Sequence, residues 1–276
     1  MPVQATRVAL HAGGFAASVV AQVLTFAVLP LAGTLYAPAA KLGTVPYAAF
    51  FVGAAVATFP ASFLLDAFGR RAAFALGASM GVAGGLMLAW ALTHAFFPGL
   101  VLGSLWLGAA NGFSLFHRHA GAPSHPQAIG IALAAGAAAG VLAPTLAAAS
   151  ETLAPATSFV GMAAAAAAAH VLSLVFAVAL PPSATAEAVP ITPAAPSFRA
   201  FAVATGIGAL AWFVMAALMG AHGLRLFACG FPVSAVGSGI SWHVVGRRCL
   251  GVDAFARGAR RRVVAIDGGR VRDALR

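Results

Sequence analysis

Long apolar runs separated by short polar breaks dominate this chain. The runs are each long enough to cross a hydrocarbon core as a helix, which takes about 20 residues. The sequence therefore predicts an all-α fold, a polytopic transmembrane helix bundle. Seven spans are predicted, at about residues 8–35, 43–65, 72–93, 97–117, 128–149, 156–180 and 199–221.

The breaks also predict how the chain is divided. Residues 1–180 would form an N-terminal six-helix transmembrane half, and the Pro-rich segment 181–198 a cytoplasmic linker. Residues 199–246 would begin a second half, with one span and a partial span, since the apolar stretch 230–245 reaches only about 24 Å as a helix. The basic segment 247–276 is predicted to be a disordered cytoplasmic tail.

Composition and charge favour lipid as the solvent. The chain is 61% hydrophobic and 8% charged, too few charges for a water-exposed surface. The net charge of +10 does not indicate nucleic acid, because nine of the 16 Lys and Arg residues follow position 246 and most others flank apolar runs. With a cytoplasmic N-terminus, only Lys41 and Arg225 would face outward. The lipid bilayer is thus the predicted partner, in a bacterial-type inner membrane.

One short stretch places an acid beside two bases. Residues 63–74 read FLLDAFGRRAAF, between the second and third spans. The positive-inside rule explains Arg70 and Arg71, but acids contribute little to orientation and Asp66 needs another reason. Gly69 would permit a tight turn.

This stretch resembles the loop signature of the major facilitator superfamily, Gly-x-x-x-Asp-x-x-Gly-Arg-Arg, with Ser62 in place of the first glycine. The resemblance covers about residues 7–245. It implies a transporter in which two six-helix halves rock around a central site. It also implies a conformational latch at Asp66, Gly69, Arg70 and Arg71, with Asp66 and Arg70 stabilising the outward-facing state.

Polar residues inside spans are the candidates for lining a substrate cavity. Gln22 and Thr25 lie three residues apart on one helix face, and Asn111 lies in the fourth span. For each, hydrogen bonding between helices is an equally good explanation. Three further candidates lie near span ends or in the partial span, namely Arg118, Trp242 and His243.

The segment 117–127 reads HRHAGAPSHPQ and contains three histidines. We expect a solvated, positively charged loop there. His117 and His119 do not face the same way on a helix, so a metal-dependent membrane enzyme using His117, His119 and His125 is the weakest alternative. Neither a metal site nor a cofactor is predicted, and the chain is not predicted to be an enzyme.

The predicted function is secondary active transport of a small solute by alternating access, with a proton as the candidate coupling ion. A twelve-span transporter needs about 360–400 residues, so the sequence indicates an incomplete copy that does not transport alone. Its tail is either a native segment, with DAFARGARRR at 253–262 echoing DAFGRR, or the product of a shifted reading frame. The alternative function is a membrane-embedded structural or assembly subunit without transport activity.

Overall fold

The computed structural model describes residues 2–120, 127–153, 159–182, 197–231, 235–243 and 245–246. In these ranges the structure is helical, and it contains seven helices long and apolar enough to cross a membrane. An all-α polytopic bundle is therefore confirmed. The helices are α1 Pro2–Tyr36, α2 Val45–Ala67, α3 Gly69–Thr93, α4 Phe97–Ser114, α5 His117–Ala120, α6 Ala128–Leu153, α7 Val160–Ala179 and α8 Phe198–Ala228.

Several predicted helix ends are corrected by the structure. The fourth span does not run unbroken to residue 117, because α4 ends at Ser114 and the single turn α5 follows. The seventh span extends beyond residue 221 to Ala228. Residues 235–243 are helical, as the partial span requires. The tail 247–276 and residues 183–196 of the linker lie outside the described residues, so these two predictions stay predictions.

The helix termini are stabilised by local contacts where the chain reverses between α6 and α7. Glu151, in the last turn of α6, accepts hydrogen bonds from the backbone N–H groups of Phe159 and Met162, at 3.2 and 3.3 Å. These N–H groups lack partners within the helix, and a carboxylate is favoured at a helix N-terminus. One acidic side chain therefore holds the start of α7 against the end of α6.

The first helix lies at the centre of the bundle. Nearly the whole of α1 is enclosed, whereas α2 and α6 each turn a broad apolar face outward. The outward side chains of α2 include Val52, Val56, Phe59 and Phe63, which are all more than half exposed. An apolar exterior of this kind suits lipid rather than water.

The bundle formed by α1 to α7 contains two similar packing units. Helix α1 packs on α6 and α7, while α4 packs on α2 and α3. Helices α3 and α7 pack directly on each other. Exchanging α1, α2 and α3 with α4, α6 and α7 leaves these contacts unchanged, so the bundle contains two similar groups of three spans.

Glycines allow the closest helix contacts. A Cβ added to Gly85 would lie 2.8 Å from the Cβ of Ala167, and one added to Gly81 would enter the ring of His170. The small-residue spacing at Gly81 and Gly85 thus packs α3 onto α7, as expected for helices that associate without a hydrophobic driving force.

Helix α8 is attached to the bundle mainly through its second half. Ala216, Met219, Gly220 and Gly223 are buried there, whereas the residues of its first half are exposed. The hydroxyl of Tyr47, at the start of α2, donates a hydrogen bond of 2.9 Å to the carbonyl of Ala216. α8 therefore joins the α1–α7 bundle near the end where α1 stops and α2 begins.

Candidate functional site

The charged stretch forms a tight corner between α2 and α3. Phe68 is the one residue between the helices, and Gly69 has φ of +78°. This is the left-handed region that glycine adopts without steric cost. Asp66 and Arg71 are exposed at the corner, and neither forms an ion pair with another described residue.

Arg70 differs from its two charged neighbours. It is half-buried and lies close enough to Arg7 and His11 of α1 to interact with them electrostatically. Basic residues in the first turn of a helix oppose the favourable sign of its dipole. A contribution to the stability of α3 therefore does not explain why Arg70 and Arg71 occur here. This agrees with a topological or functional role for the two arginines.

The polar candidates inside spans are buried but not brought together. Gln22, Thr25 and Asn111 are each less than one-tenth exposed. The Thr25 hydroxyl donates to the carbonyl of Ala21 in its own helix, at 2.7 Å. No hydrogen bond between described residues joins these three side chains. Local helix bonding therefore accounts for Thr25, and its role as a cavity residue stays a prediction.

The other three candidates lie at separate places. The Nε–H of Arg118 donates to the carbonyl of Leu115 at 3.2 Å, and the guanidinium lies 5.9 Å from the ring centre of Phe15. Trp242 is 74% exposed, and His243 lines a groove beside α8. The structure does not gather Arg118, Trp242 and His243 into one site.

The expectation of a solvated loop is wrong for His117. The chain resumes a helical turn at this residue and directs the imidazole into the bundle, where it is only 2% exposed. The ring stacks on Phe74 with centres 3.7 Å apart, and its Nδ1 lies 3.2 Å from Nδ1 of His11. Gly14 leaves room for the ring, because a Cβ there would lie 3.0 Å from it.

A small polar cluster continues from this histidine pair along α1 and α7. The hydroxyls of Ser18 and Ser173 lie 3.3 Å apart, and each also donates to the carbonyl of Gly14. The ring of His170 lies nearby and is buried. This cluster was not predicted from the sequence. Histidines isolated within apolar runs could have indicated it, but their shared location depends on how α1, α5 and α7 pack.

One open cavity lies between the bundle and α8. A groove of about 730 Å³ runs along α1, α2 and α8. Its wall includes Tyr47 and Phe51 from α2, and Trp212 and Phe213 from α8. We call it the aromatic groove. It lies where the α1–α7 bundle meets α8.

No group of three or more potential metal ligands occurs among the described residues. His125 of the proposed histidine set lies outside them. The described residues form a helical bundle with an apolar exterior, glycine-mediated helix contacts and a groove between the bundle and α8. These features define an integral membrane protein.

Comparison with known proteins supports a membrane transporter as the class. No family model matches the sequence. A segment of 67 residues is 42% identical to the riboflavin transporter RfnT of Brucella anthropi. The matched segment represents 24% of this chain and 17% of the length of that relative.

Proposed function

We propose that this protein belongs to the major facilitator type of secondary transporter, which moves a small solute by alternating access. The observation that carries this proposal is the packing of the α1–α7 bundle as two similar three-span groups. Major facilitator halves are built from nested three-plus-three repeats, and transport arises when the two halves rock around a central site. On this basis residues 1–180 would be one moving half and residues 199–246 the start of the other.

The corner at Asp66 supports the same proposal. Its carboxylate is exposed and not committed to an ion pair within the described chain, so it is available to a partner in the other half. A static bundle gains little from an exposed acid beside its apolar faces. Asp66 therefore fits a latch whose partner changes when the halves move, with Gly69 supplying the tight turn that presents it.

Riboflavin is the first solute to test, because the relative from Brucella anthropi is named as its transporter. The likeness covers 17% of that relative, so the substrate remains a proposal for this chain. A proton is the proposed coupling ion. Saturable riboflavin entry into proteoliposomes holding the full chain would support the function, and would overturn the expectation that seven spans are too few. Entry no faster than into empty liposomes rejects riboflavin transport by this chain.

The latch is tested by Asp66→Asn, which removes the charge and keeps the shape. We expect uptake to fall about tenfold, because the variant loses about 1.4 kcal/mol of an ion-pair or helix-end interaction. Ser62→Ala is the matched control, since Ser62 is an exposed residue of the same helix end that only bonds the carbonyl of Phe59. Equal uptake by both variants would reject the latch.

A further inference from the structure

The two sides of α8 carry different side chains. One helical face, at positions 209, 212, 213, 216, 217, 220, 221 and 224, borders the aromatic groove. The adjoining face carries Leu210, Val214 and Leu218 and borders a second groove together with the helical segment 235–243. This groove is lined mainly by aliphatic side chains and also by His222 and His243, and we call it the aliphatic groove. These sets have helical spacing, so each groove is a continuous surface of one element.

The aromatic groove is walled by rings and floored by small residues. Phe51 of α2 faces Trp212 and Phe213 of α8, while Ala216 and Gly220 keep the floor shallow. Its volume of about 730 Å³ lies within the range of about 300 to 1,000 Å³ typical of small-molecule sites. A flat molecule entering it would meet ring faces and edges on two sides.

The ring of Tyr47 is held in place by contacts on several sides. Its hydroxyl is anchored on the Ala216 carbonyl, and its ring makes edge contacts with Phe26 and Phe51, with centres 5.8 and 5.1 Å apart. The α2 side of the aromatic wall, Tyr47 and Phe51, is therefore prearranged and loses little conformational freedom when a ligand binds.

The chemistry of the wall identifies the class of ligand. Among the described residues no charged side chain lines the aromatic groove, and its polar side-chain groups are the hydroxyls of Thr44 and Tyr47 and the indole N–H of Trp212. A charged solute would lose hydration without compensation there. Offset or edge-on contact with aromatic rings favours a planar ring system over a flexible chain.

We propose that the aromatic groove binds a planar, uncharged heteroaromatic ring, and that this is where the transported solute places its ring. The second part rests on the proposed function. A lipid acyl chain is the competing occupant, but the aliphatic groove on the other side of α8 matches an acyl chain better. An aromatic and an aliphatic surface can therefore be compared on the same helix, α8.

The test uses Trp212 as the reporter in the full chain, reconstituted in lipid nanodiscs. Replacing the other three tryptophans, in Trp90→Phe, Trp106→Phe and Trp242→Phe, leaves Trp212 as the one fluorophore of its kind. Lumichrome, a bare tricyclic ring, is titrated in, and ribitol serves as the non-aromatic probe. We expect saturable quenching by lumichrome and no effect of ribitol.

Two groove variants and one control complete the design. In the single-tryptophan protein, Phe51→Leu and Phe213→Leu should each weaken lumichrome binding about threefold to tenfold, the effect of losing one aromatic contact. Leu210→Ala, in the aliphatic groove, should change it less than twofold. Phe213 is 71% exposed, so its replacement leaves the helix packing intact.

Three results would overturn the site: quenching that does not saturate, equal binding by all three variants, or competition by ribitol. If lipids with brominated acyl chains quench Trp212 and lumichrome does not relieve this quenching, lipid is the occupant. That result would also overturn the proposed site. Binding needs no gradient or movement of the halves. Lumichrome binding without riboflavin uptake would therefore reject riboflavin transport by this chain and keep the site, whereas riboflavin uptake without lumichrome binding would reject the site alone.

Discussion

At the scale of single residues, Gly69 is the position where backbone conformation constrains the sequence most directly. Its φ of +78° would place the Cβ of any other residue in a strained arrangement. We expect Gly69→Ala to lower the free energy of unfolding by about 1–2 kcal/mol. Gly206→Ala is the control, because nothing lies within 4 Å of the added Cβ in α8, and it should be neutral or stabilising by up to about 1 kcal/mol. Thermal denaturation of the detergent-solubilised variants measures both, and equal melting temperatures would contradict the strain.

The buried pair His11 and His117 provides a second prediction at this scale. His117→Phe keeps a ring stacked on Phe74 but leaves Nδ1 of His11 buried without its partner. The cost should be about 1–3 kcal/mol. Adding His11→Phe removes the unpaired group, so the double variant should be less destabilised than the sum of the two single variants. A double-mutant cycle by thermal denaturation measures this coupling, and strict additivity would show that the pair contributes no interaction.

The tight turn at Gly69 was predictable from the sequence and the burial of His117 was not, for different physical reasons. The need for a left-handed residue at a one-residue corner is local, so the sequence around Gly69 contains the information. The burial of His117 depends on a helical turn that restarts after α4 and on the space above Gly14 in a distant helix. Neither is visible in the polar, histidine-rich composition of residues 117–127.

At the scale of helices, the contact between α2 and α4 is close and depends on glycine. A Cβ on Gly108 would collide with the backbone carbonyl of Phe50, and one on Gly53 with that of Leu105. Backbone atoms cannot rotate away as side chains can, so Gly108→Ala should force α2 and α4 apart and cost about 1–3 kcal/mol.

The matched control for Gly108→Ala is Gly208→Ala in α8, where the added Cβ has open space. Both variants make the same chemical change inside a helix, so the difference between their melting temperatures isolates the helix contact. A Gly108→Ala protein as stable as the control would show that α2 and α4 do not approach this closely.

The helices themselves were predictable because length and apolar content decide whether a segment spans lipid. Their ends were less predictable. Glu151 caps α7 from another helix, and α8 extends to Ala228 past Arg225, which composition alone marks as a boundary. Which faces meet was beyond the sequence, because nearly every span is rich in glycine and alanine.

At the scale of the whole molecule, the two three-span groups and the one-ended attachment of α8 belong together. The α1–α7 bundle has many internal contacts through α1, α3 and α4, whereas α8 touches it mainly through its second half. The bundle is therefore more densely connected within itself than it is to α8. The aromatic groove lies along this junction, where a movement of α8 would change its width.

The orientation of the whole molecule is testable with a native thiol. Cys229 is exposed just beyond α8, after seven spans, and Cys249 is the second cysteine. With the N-terminus cytoplasmic, as the distribution of basic residues predicts, Cys229 lies on the outer side. In a Cys249→Ser background, a membrane-impermeant maleimide should therefore label Cys229 in intact cells.

A cysteine at Ala67, placed in a chain without Cys229 and Cys249, should be labelled in inverted vesicles and not in intact cells. The reverse pattern would invert the topology, and labelling of both positions from one side would mean that an even number of helices, not seven, crosses the membrane before Cys229.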